Sequence, residues 1–241
     1  MTANYSRGKM VLMEGERNTY GEWYFEELYK YGRKRLAVQR LYFNTINWAS
    51  RYANWDILDG RGKSALDIGC AFGFIVDLLN RLGYDSYGID RSNHALKRGK
   101  TILKKSNLIL ADAQSLPLKK ESFNLITCFE TIEHVIEPVS MLESIYALLR
   151  RGGVFIMTTP VPGVMSNLII HGLARVPRWT HPSVKQPGEW VSLLKSLGFS
   201  NIHASYSLLM PIPATLFNRY YSVKCAKPFS TKISTIAQKR A

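Results

Sequence analysis

Between residues 64 and 160, short apolar runs alternate with segments of helical period, and this alternation constrains the fold more than any other feature of the chain. SALDIGCA (64–71), SYGIDRS (86–92), NLILADA (107–113), NLITCFE (124–130) and VFIMTTP (154–160) have the length and composition of buried strands. FIVDLLNRLG (74–83), HALKRGKTILKKS (94–106) and PVSMLESIYALLRRGG (138–153) have helical period between them. Strands of this kind, separated by helices, specify βαβ units and a parallel sheet covered on both faces. The expectation is a doubly wound α/β core.

Residues 20–53 carry Trp23, Tyr24, Leu28 and Tyr31, then Leu41, Ile46, Trp48 and Tyr52, at helical spacing, and read as one or two amphipathic helices. A glycine-punctuated turn follows at 59–63. After Pro160 the alternation pauses in an apolar and basic stretch broken by Pro162, Pro177 and Pro182. PGEWVSLLKSLG (187–198) is then a helix, with Pro187 near its start and Gly198 at its end. FSNIHASYSLL (199–209) and RYYSVKCAK (219–227) read as two further strands, and the last dozen residues, low in apolar content, as a frayed tail. The expected organisation is an N-terminal helical extension (1–58), a main domain (59–228) with an insert at about 161–187, and a basic tail (229–241).

Composition excludes some classes. With 46% apolar and 12% aromatic residues in 241, most of the chain is not disordered. Its apolar stretches are interrupted well short of the roughly 18 residues a membrane span needs, and the N-terminus is polar, so a cytoplasmic, non-spanning protein is expected. Cys70, Cys128 and Cys225 are too far apart for a CxxC knuckle and odd in number. The net charge of +14 is unevenly spread: residues 1–60 contribute +2, residues 61–160 contribute +3 and residues 161–241 contribute +9. Such a field attracts anionic acceptors, head groups or nucleic acid without specifying the fold.

The strongest local signal is LDIGCAFGF (66–74), at the junction of the first strand with the first helix. Ligands of open parallel sheets bind beyond the carboxyl ends of the strands, and Gly69 and Gly73 free the backbone there. Alone, the loop fits a dinucleotide, a nucleoside or a plain turn. Its spacing departs from the dinucleotide fingerprint, and Asp67 ahead of the first glycine would repel a pyrophosphate. Asp90 closes the second strand, placed to accept from a ribose diol, and Asp112-Ala113 closes the third, placed beside an adenine.

These motifs, together with residues 124–134 and 148–160, resemble the successive motifs of class I S-adenosylmethionine-dependent methyltransferases, most closely the small-molecule and quinone-ring branch. The similarity runs over about residues 60–227, including EWVSLLKSLGF (189–199) and RYYSVKCAKP (219–228). It implies a Rossmann-like, mostly parallel seven-stranded sheet with one antiparallel strand, preceded by a helical lid that begins with Tyr20, Trp23, Tyr24 and Phe25. It also implies S-adenosyl-L-methionine held by Asp67, Gly69, Cys70 and Gly73, by Asp90 and Arg91 near the ribose, by Asp112 and Ala113 near the adenine, and by Phe129 beside the methyl donor. Ala71 stands where the family more often has glycine, a replacement that suits a negative φ.

A sulfonium donor is already activated, so the protein has mainly to align a nucleophile and exclude water. Neither Cys70 nor Cys128 is then needed as a nucleophile, and Cys128 reads as packing. In a helical turn, Glu130, Glu133 and His134 would share one face at the donor's mouth. His134 or Glu130 would serve as a proton acceptor. Alternatively Glu130, Glu133 and His134, with His181 from the proline-rich insert, resemble the set holding a divalent metal in terminal-ribose RNA methyltransferases and some quinone-ring O-methyltransferases. A third reading has Glu133 and His134 simply capping and packing. His181 is also a candidate substrate contact.

The favoured function is methyl transfer to an O, N or C nucleophile of a small, apolar or lipid-like acceptor. The rivals are a metal-assisted RNA methyltransferase and a non-catalytic S-adenosylmethionine-binding protein. The apolar segments 161–177 and 208–217, with Arg175, Arg178 and Arg219, also suit an anionic membrane surface.

Overall fold

A computed structural model describes residues 22, 25–26, 34–103, 106–116, 118–163, 166–167, 181–211, 220–226 and 230–241. Its centre is a sheet in the order β3-β2-β1-β4-β5-β8-β6-β7. The strands are β1 (Ser64–Ile68), β2 (Asp85–Asp90), β3 (Asn107–Leu110), β4 (Phe123–Phe129), β5 (Leu149–Pro160), β6 (Phe199–Pro211), β7 (Tyr220–Lys224) and β8 (Lys232–Lys239). The first five pair in parallel. Strand β8 runs antiparallel to both β5 and β6, so β6 points the same way as β1 to β5. This is the expected seven-stranded sheet with one reversed strand, to which β7 adds an outer, antiparallel eighth.

The helices are α1 (Arg35–Ala49), α2 (Phe74–Arg81), α3 (Asn93–Ile102), α4 (Pro138–Leu148) and α5 (Pro187–Ser196), with a 3-10 turn at Ile132–His134. Local chemistry fixes their ends. The Ser92 hydroxyl accepts from Ala95 N at 3.2 Å, opening α3. Glu189 folds back to accept from Gln186 N, and Pro187 sits in the first turn of α5. Strands β1, β4 and β5 are buried along nearly their whole length because helices cover both faces.

Two expectations at the chain ends are corrected. The strand that closes the sheet is not 219–228, whose described part is the edge strand β7, but 232–239, expected to be a frayed tail. All of it except Lys239 is buried. Its sequence, KISTIAQK, hides this because five of its eight residues are polar, yet Ile233, Thr235 and Ile236 are β-branched strand formers and lie in a strand paired on both sides. The helical extension is not set apart from the core in its described part. Ile46 and Ala49 of α1 are fully buried in one cluster with Ile57, Leu79, Leu125 and Ile156. Tyr20, Trp23, Tyr24, Leu28 and Tyr31 lie outside the described residues, as do Arg175, Arg178 and Arg219. Among the described residues no helix is long and apolar enough to cross a membrane.

Candidate active site at the carboxyl edge of the sheet

Strand direction brings the loops after β1, β2, β3, β4 and β5, and the start of the reversed β8, to one edge. The loop after β1 is bound under β2, since Gly69 N and Cys70 N both donate to Ile89 O at 2.9 Å. Gly69 and Gly73 each have φ +76. A Cβ at Gly69 would collide with the Thr131 side chain, so that position admits glycine alone. Ala71 has φ +47, in the left-handed region, contrary to the expectation of a negative φ. What holds it there is Asp90, whose Oδ2 accepts from Ala71 N at 2.8 Å while its Oδ1 accepts from Ser92 N at 2.8 Å. The Asp90 carboxylate thus ties the glycine loop to the start of α3, and each of its oxygens keeps lone-pair capacity for a hydroxyl. Burial raises its pKa, against those backbone donors.

Asp67 is buried, and its Oδ1 accepts from the Thr127 hydroxyl at 2.7 Å. Burial pushes its pKa up to about 7. Cys70 and Cys128 are buried, and burial raises both thiols well above their ordinary value, which leaves them inert. Asp112 is exposed and caps its own turn by accepting from Gln114 N at 2.9 Å; Ala113 is half-buried and Arg91 exposed. The Phe129 ring turns to the helical layer, stacked on Tyr42 of α1 at 4.4 Å and 4°.

The chemistry of this edge suits a nucleoside with hydroxyl and amine groups. Three carboxylates, Asp67, Asp90 and Asp112, end three neighbouring strands around a loop that glycine keeps open to close approach. A pyrophosphate would meet repulsion from Asp67 and Asp90, whereas a cationic donor would be attracted.

Beyond β4 the chain turns sharply. Glu130 has φ +49, a strained conformation costing on the order of 1–3 kcal/mol, and Glu130 N donates to Thr158 O at 2.9 Å. Glu133 is buried: its Oε2 accepts from the Thr159 hydroxyl at 3.2 Å, and its backbone oxygen accepts from Ser183 N at 3.1 Å. The Ser183 hydroxyl donates to Val135 O at 2.6 Å. Together these contacts fasten the 181–183 segment onto the 3-10 turn and bring His181 to His134, with ring centroids 4.8 Å apart. Burial, then the charge of Glu130, raises the Glu133 pKa well above the ordinary carboxyl value. One donor atom from each of Glu133, His134 and His181 fits within 4.8 Å of the others, a set able to take a borderline divalent cation. Of the four residues expected to act together, Glu130 is the one turned elsewhere. Its Oε1 lies 3.6 Å from Lys232 Nζ. Lys232 went unanticipated because it belongs to the segment expected to be a tail.

Residues 66–157 match the family described as "Methyltransferase domain". The Ubiquinone biosynthesis O-methyltransferase of Psychrobacter arcticus is 32% identical over 105 residues, 41% of each chain. That of Paraburkholderia phymatum is 31% identical over 153 residues, 57% of this chain and 64% of the relative. The chain therefore spans between about two fifths and two thirds of the length of these relatives. Among solved structures, the magnesium protoporphyrin IX methyltransferase of Synechocystis, determined with bound SAH, superposes with a TM-score of 0.62 at 14% identity, covering 93% of this chain and all of that one.

Proposed function

We propose, from the premise that residues 66–157 are a class I methyltransferase domain, that the chain transfers a methyl group from S-adenosylmethionine to an oxygen of a small acceptor. The observation that carries this reading is the edge itself: a carboxylate-lined glycine loop shares it with the Glu130–His134 turn. The names of the curated relatives favour oxygen over nitrogen or carbon as the nucleophile.

In this reading Asp90 accepts from the ribose hydroxyls, with Arg91 alongside, and Asp112 and Ala113 flank the adenine. Gly69, Cys70 and Gly73 admit the donor against the backbone, and Asp67 faces its positive charge. The bound donor supplies an activated methyl: the S–C bond breaks with its electron pair left on sulfur as an acceptor oxygen pair forms the new C–O bond. Glu130 or His134 takes the acceptor's proton, and His181 contacts the acceptor. Phe25, its ring stacked on Phe72 with centroids 6.3 Å apart, covers the loop as part of a lid.

A metal-assisted version is favoured by one observation, the close approach of Glu133, His134 and His181. In it those three side chains hold a divalent cation that orients the acceptor oxygen. Ile136, 72% exposed, and Val139, 40% exposed, follow the same turn and offer apolar contact to a lipid-like acceptor or to the anionic membrane that carries it.

The test is incubation with methyl-labelled S-adenosylmethionine and 3,4-dihydroxybenzoate or a lipid extract, with and without a chelator, alongside calorimetry of donor binding. Label transferred to an acceptor oxygen supports the reading. Absence of donor binding would refute it.

A further inference from the structure

Because β8 runs against the other core strands, its first residue reaches the edge where they end: Lys232 pairs with Pro160 of β5 on one side and with Ser207 of β6 on the other. Its side chain is 4% exposed. A buried ammonium is rare without a partner. Here Nζ lies 3.6 Å from Glu130 Oε1 and 5.3 Å from the centroid of the Tyr42 ring, which is itself held flat against Phe129. The Glu130 side chain is 31% exposed, but its Oε1 is buried and makes no hydrogen bond, so the carboxylate has an inward side given to Lys232. The backbone at Glu130 is in the left-handed region, pinned to Thr158. A left-handed backbone from β4 and a buried cation from β8 thus converge on one carboxylate, the cation itself lying over the Tyr42 ring of α1. Glu133, the other acid nearby, spends its own oxygen on Thr159.

We infer that Lys232 is a positioning residue for methyl transfer, holding the Glu130 carboxylate in place along the edge so that Glu130 takes the proton of the acceptor hydroxyl. The inference rests on the reading above. In the step it assists, the acceptor O–H bond breaks with its proton passing to the Glu130 carboxylate, the new C–O bond forms from the oxygen's electrons, and the donor leaves as a neutral thioether. No oxidant or reductant is consumed. Lys232 touches neither reacting atom and acts through Glu130.

A cycle of Lys232→Met, Glu130→Gln and the double variant, with Lys232→Arg as the conservative control, tests this in the full chain. Lys232→Met is expected to lower kcat with 3,4-dihydroxybenzoate by about 10- to 100-fold, the scale of a misaligned catalytic group, while the calorimetric Kd for S-adenosylmethionine stays within about twofold. Lys232→Arg should keep most of the activity, and Lys232→Met should cost nothing further in the Glu130→Gln background. Equal losses in both backgrounds, or a loss accounted for by a smaller folded fraction in circular dichroism, would overturn the inference. Should Lys232→Met fail to fold, Lys232→Gln removes the charge at similar length and carries the same expectations. Failure of the wild type to turn over any acceptor would instead sink the underlying reading, and the inference with it.

Discussion

The Thr127 hydroxyl donates to Asp67 Oδ1 at 2.7 Å between the adjacent parallel strands β4 and β1, so the carboxylate ahead of the glycine loop is held from below, within the sheet. Burial nevertheless wins over this hydrogen bond and raises the Asp67 pKa to about 7. The folded chain therefore binds this proton more tightly than the unfolded one, whose carboxyl titrates near 3.8. Stability contributed by this group is fully present below about pH 3.8 and is lost progressively as pH rises from there through 7. The urea midpoint of the wild type is expected to fall between pH 5 and pH 8, and Asp67→Asn to flatten that dependence. A cationic donor favours the ionised form, so its affinity should rise over the same interval in the wild type and not in Asp67→Asn. A flat profile in the wild type would contradict the assignment.

Asp90 joins two backbone donors, Ala71 N and Ser92 N, and retains lone pairs toward the loop. Asp90→Ala should weaken S-adenosylmethionine binding by at least about tenfold, through loss of charge-assisted hydrogen bonds of about 1.5–3 kcal/mol. It should also loosen the loop, visible as faster amide exchange at Ala71. Unchanged affinity by calorimetry would remove Asp90 from the donor site.

Backbone conformation separates two substitutions in the same loop. Ala71→Gly relieves a left-handed alanine at φ +47 and is expected to stabilise by up to about 1 kcal/mol. Gly69→Ala meets both a φ of +76 and the Thr131 side chain, and should destabilise by more than about 2 kcal/mol. In Gly69→Ala, a second change Thr131→Ala should recover only the steric part. Chemical denaturation of the four proteins checks these signs.

The Glu133–His134–His181 cluster has its own discriminating measurement. If it holds a divalent ion, His134→Ala and His181→Ala should each abolish stoichiometric cobalt binding followed by visible absorption, and a chelator should lower turnover. Full activity in chelator with no cobalt spectrum would leave the histidines as packing and acceptor contacts.

Glu130→Gln keeps the shape of the side chain and removes its basicity. A fall in kcat of about 100-fold or more, with donor affinity unchanged, is the expected result for a proton acceptor. A comparable fall in His134→Gln but not in Glu130→Gln would move that role to the histidine.

Much of the glycine-loop edge was legible in sequence because it depends on short-range spacing. Asp67, Gly69 and Gly73 lie within one strand–loop–helix unit, and Asp90 closes the next strand, so a βαβ pattern places them without knowledge of distant contacts. The part of the edge formed by the Glu130–His134 turn and β8 was less legible. Lys232 becomes part of the edge only through the register that sets it opposite Pro160, 72 positions earlier in the chain. Nothing in KISTIAQK marks it as central, because only Ile233, Ile236 and Ala237 are apolar and no continuous apolar run or period-2 pattern forms. The separation of Glu130 from the Glu133, His134 and His181 set was also hidden. A helical turn puts these residues on one face, whereas the positive φ at Glu130 and the 3-10 turn after it send the first carboxylate toward β8.

The position of β8 has a consequence for how the molecule comes into being. An interior strand of the sheet, between β5 and β6, is supplied by residues 232–239, after the other seven described strands have been synthesised. Until those residues leave the ribosome, β5 and β6 each present an unpaired apolar edge, the condition that invites association with other chains. A nascent chain paused before residue 232 would hold a formed glycine loop at one end of its sheet and an open seam at the other. Assembly of the Glu130–Lys232 contact is thereby deferred until residues 232–239 have been made.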